Sequence, residues 1–278
     1  MLEEADKSLL FLEAGNENYP DETPFVVIVR SQDHLNRWLR ASSPFLQWIQ
    51  VEQLLDEKDA WAEAAQVPGD IPLDIILSEP CREFSDLYRL ADVAAVRDVR
   101  ISMPPATGFF KAVRLGASLG LPIRLLPLQP SPETLRELSE TLDFYLHDPM
   151  VEAPIEFFHS TLAWMRGAQV GSLWTIFEDD PDVFVLLGVN EPHGPPNAED
   201  FPRGFVSGWL EKLLHNGAEC ANCPWQTLCQ GHFKWPDPTY SCDGVKRLFA
   251  VLRSADDDIG LDLSAFEAQT PLLGSQVP

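Results

Sequence analysis

The chain is poor in basic residues. Its 278 residues include 20 Lys and Arg against 43 Asp and Glu, which gives a formal net charge of −23 and a sequence pI near 4.4. Proteins bind nucleic-acid phosphates through clustered lysines and arginines, so this charge argues against a nucleic-acid partner. Strong acidity also aids solubility and attracts basic partners, and therefore does not identify a function by itself.

Long apolar runs and common catalytic motifs are also missing. No run approaches the roughly 18 apolar residues of a membrane span, and the acidic start MLEEADKS does not resemble a signal peptide. We therefore expect a cytoplasmic protein with no membrane partner. The sequence has no Walker loop, no GxGxxG, and no histidine spacing that suggests a catalytic triad. These absences argue against a self-sufficient kinase, dehydrogenase or hydrolase.

Cysteine is nearly absent from the first 219 residues, where only Cys81 occurs, but four cysteines follow. Their spacing is Cys220-x2-Cys223-x5-Cys229-x12-Cys242, within a Pro- and Gly-rich segment. Such turns allow a CxxC pair to reach a single metal centre, so the pattern predicts a metal site with these four ligands. A [4Fe-4S] cluster and a structural zinc both accept four thiolates, and spacing alone does not separate them. Two disulfides are a third alternative, which a reducing compartment disfavours.

Two tryptophans and a histidine lie among these cysteines. Imidazole replaces a thiolate in many zinc sites and in some iron–sulfur sites, so His232 is an additional candidate ligand. Trp225 and Trp235 lie on either side of Cys229 in the sequence. We expect both tryptophans to cover the metal site with apolar surface, which would also tune the potential of a cluster.

The cysteine segment resembles the SPASM domain, the C-terminal extension of radical S-adenosylmethionine enzymes that mature peptides. That family follows C-x2-C-x5-C-x3-C with a further cysteine downstream. Cys220, Cys223 and Cys229 match, Phe233 replaces the fourth cysteine, and Cys242 lies in the family-like tail YSCDGVKRLF. The resemblance implies that the four remaining cysteines hold one complete auxiliary [4Fe-4S] cluster. It also implies that the cysteine belonging to a neighbouring cluster is lost.

The radical enzymes' own cofactor motif, C-x3-C-x2-C, has no counterpart here, because Cys81 is the only upstream cysteine. We expect no S-adenosylmethionine to bind. The leading hypothesis is a catalytically incomplete relative that serves a radical S-adenosylmethionine enzyme or its precursor peptide, by peptide binding or electron transfer. Two alternatives stay open: a structural zinc knuckle, and an enzyme that uses the cluster or a site near Glu79, Cys81 and Ser102. No catalytic residue is assigned.

Upstream of the cysteines, strand and helix patterns alternate. Continuous apolar runs predict buried strands at 24–30, 71–80, 98–105 and 120–130. Helical spacing predicts helices at 31–66, 82–95, 108–119 and 131–147, the last with Ser131 as its N-cap. Such alternation predicts an α/β fold with a parallel sheet. Four units are about half of a closed (β/α)8 barrel. The stretch from Leu121 to Trp164 is similar to the late part of the radical enzymes' six-unit partial barrel. This resemblance implies a shortened, degenerate partial barrel.

These patterns divide the chain into four parts. Residues 1–24 are predicted to be an acidic N-terminal arm, and 25–170 a partial β/α barrel-like domain. Residues 171–254 are predicted to be a C-terminal SPASM-like, cysteine-rich metal-binding domain. It would open with a hairpin at 172–189 and continue through a helix at 204–216 to the cysteines and a final helix ending near 254. Residues 255–278 are predicted to be a loose tail.

Overall fold

The computed structural model describes residues 8–15, 19–187 and 203–269, with side chains of the last helix described as far as residue 262. Eight strands form one sheet in the spatial order β7-β6-β5-β4-β3-β2-β1-β8. All seven neighbouring pairs are parallel. The strands are β1 (Leu9–Glu13), β2 (Phe25–Val29), β3 (Leu46–Glu52), β4 (Leu73–Ile76), β5 (Val99–Met103), β6 (Ile123–Leu125), β7 (Ile155–Glu156) and β8 (Phe184–Leu187).

Helices connect most of these strands and form the C-terminal part of the chain. The α-helices in the described residues are α1 (Gln32–Leu39), α2 (Lys58–Ala64), α3 (Pro80–Glu83), α4 (Ala91–Ala94), α5 (Phe110–Ser118), α6 (Pro132–His147), α7 (Phe158–Met165), α8 (Leu173–Ile176), α9 (Phe205–His215), α10 (Gln226–Cys229) and α11 (Asp243–Gln269). Three 3-10 helices cover Phe84–Leu90, Glu219–Asn222 and His232–Lys234. Among the described residues, no helix is both long and apolar enough to cross a bilayer.

The two faces of the sheet pack differently, because successive side chains of a strand point to opposite sides. One face packs against the helices and forms the main core, to which central strands contribute Val27, Ile49, Ile75, Ile101 and Ile123. The other face carries a smaller apolar cluster, centred on Phe11, Val26, Ile28, Phe184 and Leu186. Strands buried on both faces have continuous apolar sequences, as in FVVIV of β2.

The predicted α/β class and parallel sheet are confirmed. The four predicted strands occur as β2, β4, β5 and β6, and Ser131 caps α6 by accepting a hydrogen bond from the backbone N–H of Thr134. The strand order is that of a (β/α)8 barrel opened between β7 and β8, since no pairing in the described residues joins those two strands. The architecture is therefore compatible with a partial barrel. The sheet has eight strands, however, which is more than the four predicted β/α units supply.

One missing strand lies inside the predicted helix at 31–66. That segment forms α1, then β3, then α2. The apolar positions Phe45, Trp48 and Ile49 fit a helical period, which explains the error. In β3, Trp48 faces the smaller apolar cluster, whereas Ile49 and Val51 face the main core. A two-sided strand of this kind mixes polar and apolar residues, so its periodicity is ambiguous.

The predicted hairpin at 172–189 is also wrong. Leu173–Ile176 is helical, and only Phe184–Leu187 is a strand, which pairs in parallel with β1 rather than with a hairpin partner. Residues 188 and 189 lie outside the described residues. Since β8 lies in the main sheet, the predicted domain boundary at 170/171 divides one sheet.

The two predicted termini need correction as well. Leu9–Glu13 is not part of an arm, because β1 pairs with β2 on one side and β8 on the other. The predicted tail at 255–278 is helical as far as Gln269, because α11 continues past residue 254. Residues 1–7, 16–18 and 270–278 lie outside the described residues.

A buried ion network lies on the face of the sheet that carries the smaller apolar cluster. Asp74 Oδ1 accepts a hydrogen bond from Ser102 Oγ at 2.6 Å, and Oδ2 accepts from Arg100 Nη2 at 2.5 Å and Arg124 Nη2 at 3.0 Å. Both arginines also pair with Glu178. Burial alone would raise the pKa of Asp74, but the two arginines and Ser102 lower it below its usual value. The network thus balances the buried Arg124 and the partly exposed Arg100 with two carboxylates.

Asp74→Asn keeps the shape of this side chain and removes its charge, which leaves two arginines with one carboxylate. We expect the free energy of unfolding at neutral pH to fall by about 3 kcal/mol, because breaking a buried ion pair leaves an uncompensated charge. Because folding lowers the pKa of Asp74, its ionised carboxylate stabilises the fold fully only at a pH above the unfolded-state pKa of about 4. The difference between wild type and variant should therefore shrink as the pH falls below about 4.

Denaturant unfolding of both proteins across this pH range tests the prediction. The control is Asp98→Asn, whose exposed carboxylate should matter by no more than about 0.5 kcal/mol. Equal stability of the two variants at neutral pH would contradict the role given to Asp74.

Candidate metal centre

The four cysteines of the C-terminal segment are carried by short turns and by the start of a long helix. Cys220 lies in the 3-10 turn Glu219–Asn222, Cys229 ends α10, and Cys242 directly precedes α11. The two residues that follow Cys229 both have left-handed backbone conformations: Gln230 has a φ of 47° and Gly231 a φ of 76°. This reversal turns the chain back sharply after the third cysteine.

All four cysteines line one cavity of about 20 Å³, just enough for one water-sized atom. Apolar walls surround them, supplied mainly by Trp225, Phe233, Val245 and Phe249. All five cysteines of the chain are free thiols, so the two-disulfide alternative does not apply to this structure. The remaining cysteine, Cys81, is exposed and belongs to α3, outside this cavity. The structure therefore brings together the four cysteines that the spacing selected.

Burial disfavours the thiolate form of three of these cysteines. It raises the pKa of Cys229 to about 11 and of Cys242 to about 12, and it also raises the pKa of Cys220. The backbone N–H groups of Phe233 and Gly231 act in the opposite direction and partly offset the rise in the pKa of Cys229. Within the described residues, no three His, Cys, Asp or Glu side chains have the arrangement of a formed metal site. A bound metal would have to displace the thiol protons.

A buried cation lies beside the thiols. Lys234 is 5% exposed, and its Nζ lies 2.7 Å from Glu219 Oε1 and donates to the carbonyl of Tyr240. Lys246 pairs with the other oxygen of Glu219, and the backbone N–H of Cys242 donates to Oε1 at 3.1 Å. Burial opposes ionisation of Glu219, but these three donors lower its pKa to about 2. Lys234 also partly opposes the rise in the pKa values of Cys220 and Cys242, so its positive charge acts on the cavity.

Phe233 anchors the cysteine segment to the main core. Its side chain is 1% exposed, and its ring centroid lies about 6.2 Å from Phe157 and 6.3 Å from both Phe177 and Phe249. Position 233 is therefore an apolar anchor and carries no metal ligand.

Of the other three aromatic residues considered for the metal site, only Trp225 lines the cavity. Trp225 lines the cavity, as expected, whereas Trp235 stacks edge-on against Trp209 at 5.3 Å and is not a lining residue. His232 is not a lining residue either. Its Nε2 donates at 2.8 Å to Oδ2 of Asp179, a residue of the main fold outside the cysteine cavity.

The residues proposed for a site in the β/α part do not form one. Ser102 is completely buried and held by Asp74, whereas Cys81 is exposed. Glu79 pairs with Arg82 at 2.7 Å on the surface. A shared site for these three groups has no support in the described residues.

The residues that sequence reasoning missed are Glu219, Lys234 and Lys246. Charged residues beside cysteines resemble any solvated loop, and only the fold brings position 219 next to position 246. Comparisons of the chain with protein-family models, curated proteins and solved structures gave no significant match.

The turn at Gly231 gives a test of how tightly the cysteine segment is packed. A Cβ at Gly231 would lie 2.6 Å from Leu213 Cδ1, whereas a Cβ at Gly217, with a similar φ of 70°, would contact nothing within 4 Å. Gly217→Ala should therefore lower the free energy of unfolding by about 1 kcal/mol through backbone strain alone. Gly231→Ala should lose this amount and roughly 1–3 kcal/mol more, because the new methyl group overpacks against Leu213. Chemical denaturation measures both, and equal losses would show that the segment is loosely packed.

Proposed function

We propose that this chain is a catalytically incomplete relative of the radical S-adenosylmethionine/SPASM peptide maturases. In this proposal it binds one auxiliary-type [4Fe-4S] cluster through Cys220, Cys223, Cys229 and Cys242. The observation that carries the proposal is that these four thiols, and no other cysteine, line one apolar cavity beside a buried lysine. The SPASM-like spacing adds to this support.

The residues around the cavity fit an anionic metal–thiolate centre. Four thiolates are a normal ligand set for such clusters, whose potential depends on burial, net charge and hydrogen bonds to sulfur. Lys234 would offset the negative charge, and the N–H groups of Gly231 and Phe233 would stabilise the Cys229 thiolate. Trp225 and Phe249 would exclude water. A cluster would require this cavity to widen, since its present volume of about 20 Å³ holds only a water-sized atom.

A bound cluster would supply one-electron transfer. In the proposal, this chain passes electrons to a radical S-adenosylmethionine enzyme, or binds the precursor peptide for it, during maturation of a ribosomally made peptide or a protein. Reduced cysteines fit the cytoplasm better than an oxidising compartment. The chain itself needs no S-adenosylmethionine for this role.

A structural zinc knuckle is the second candidate, because zinc accepts the same four thiolates. The position of Cys242 favours it: this residue directly precedes α11, which packs against α6 and α7. Zinc would then brace the start of the helix against the rest of the fold. In this case the chain keeps a binding role and loses electron transfer.

Metal analysis of anaerobically purified protein tests the ligand set. We expect about four iron and four sulfide per chain, with both lost in Cys223→Ala because a four-cysteine cluster lacks a ligand there. Cys81→Ala is the matched control, since this cysteine lies outside the cavity, and should keep full loading. About one zinc and no sulfide would select the knuckle. Equal metal content in both variants would contradict the site.

The partner role needs a separate test. After anaerobic cross-linking in its native cell, the chain should co-purify with a protein carrying C-x3-C-x2-C or with that enzyme's peptide substrate. Cys223→Ala should weaken the association if the cluster supports the interface. A chain that carries the cluster but remains a monomer beside every candidate enzyme and peptide would contradict the partner role while leaving the metal site intact.

A further inference from the structure

A second cavity, of about 370 Å³, opens at the carboxyl ends of β5 and β6. Its walls come from the loops that follow these strands, from the first turn of α6, and from Asp179 after α8. Parallel α/β folds bind their ligands at this edge of the sheet. The volume falls within the range of about 300–1,000 Å³ that is usual for small-molecule sites. Both position and size thus point to a ligand site separate from the cysteine cavity.

The walls of this second cavity are apolar and held in place. They consist mainly of Pro104, Pro105, Leu126, Pro127, Leu128 and Pro130. Leu128 is 50% exposed, so part of the apolar wall faces solvent. Gln129 donates from Nε2 to the carbonyls of Phe233 at 3.2 Å and Asp237 at 2.8 Å, and the Tyr240 hydroxyl donates to the carbonyl of Pro130 at 2.8 Å. A wall fixed in this way loses little freedom when a ligand binds.

Asp179 is the one ionisable side chain among the described residues that line the cavity. Its Oδ2 accepts a hydrogen bond from Nε2 of His232, which is 2% exposed. The other ring nitrogen of His232 is buried without a partner, so a second N–H there would be unsatisfied. The geometry therefore suits the neutral ring with its hydrogen on Nε2. A neutral donor leaves the negative charge of Asp179 uncompensated, and 27% of this side chain is exposed.

We infer that this cavity binds an organic ammonium ion, with the charged group at Asp179 and the hydrocarbon body against the proline and leucine walls. The negative lining excludes anions, and the net charge of −23 draws cations toward the protein. A free amine and a lysine side chain of a peptide share this chemistry. The inference goes beyond the proposed cysteine site: it uses no metal, and its failure would leave the metal-binding proposal unchanged.

Calorimetric titration of the full chain with benzylamine and with benzyl alcohol tests the inference. At neutral pH the two probes share a ring but differ in charge. Benzylammonium should bind saturably and at least about tenfold more tightly than the alcohol, since a partly buried ion pair adds roughly this much. Asp179→Asn should reduce its affinity to that of the alcohol, because the amide still accepts from His232 but carries no charge. Asp92→Asn, an exposed carboxylate on α4, is the control and should change nothing.

A second variant and a second probe complete the test. Leu128→Ala removes part of the exposed apolar wall and should weaken both benzyl ligands without affecting the fold. Nα-acetyl-lysine amide replaces benzylamine to test the peptide source: tighter binding than benzylamine assigns the site to a lysine side chain, and weaker binding assigns it to a free amine. Equal affinity for benzylamine and benzyl alcohol, no saturable binding of either, or unchanged binding by Asp179→Asn would overturn the inference.

Discussion

The cysteine segment depends on one carboxylate, Glu219, which joins its three separate pieces. This residue lies next to Cys220, pairs with Lys234 beyond the third cysteine, and pairs with Lys246 on α11. It also accepts a hydrogen bond from the backbone N–H of Cys242. Because these contacts connect the first turn to the loop and to the last helix, they bring thiols distant in sequence to the same cavity.

Two contacts connect this segment to the sheet. Phe233 is buried among aromatic rings of the main core, and His232 bonds to Asp179, which follows α8. Two consecutive residues therefore connect the two cavities: Phe233 lines the cysteine cavity, and His232 bonds to Asp179 in the wall of the cavity at the ends of β5 and β6. The β/α sheet holds these cavities in place. Its own buried charges, including Asp74 and Arg124, pair with each other.

Much of the fold was predictable because its central strands are buried on both faces. A run such as FVVIV has few other interpretations, and β2, β4, β5 and β6 were found this way. β3 was not, because Trp48 and Ile49 also suit a helical period. β8 was missed because Asp-Pro between two apolar runs is typical of a hairpin, and only the distant partner β1 shows that the strand pairs in parallel.

The candidate site likewise has a part that the sequence predicts and a part that it does not. Cysteine spacing is a local property of the sequence, and it selected the four residues that share the cavity. The charges around them depend on contacts between residues up to 27 positions apart, such as that of Glu219 with Lys246. Asp179 lies within the segment predicted to be a hairpin, and nothing in the sequence places it beside His232. Spacing therefore predicts candidate ligands, whereas their surroundings require the fold.

The central claim is that Cys220, Cys223, Cys229 and Cys242 bind one metal centre. X-ray absorption of anaerobically purified protein at the iron and zinc edges tests it most directly. We expect iron with sulfur-only ligation and iron–iron scattering, as in a thiolate-bound cluster. Zinc with four sulfurs at about 2.3 Å would keep the ligand set and replace the cluster. Neither metal in the protein, or a metal ligated by oxygen and nitrogen alone, would contradict the claim.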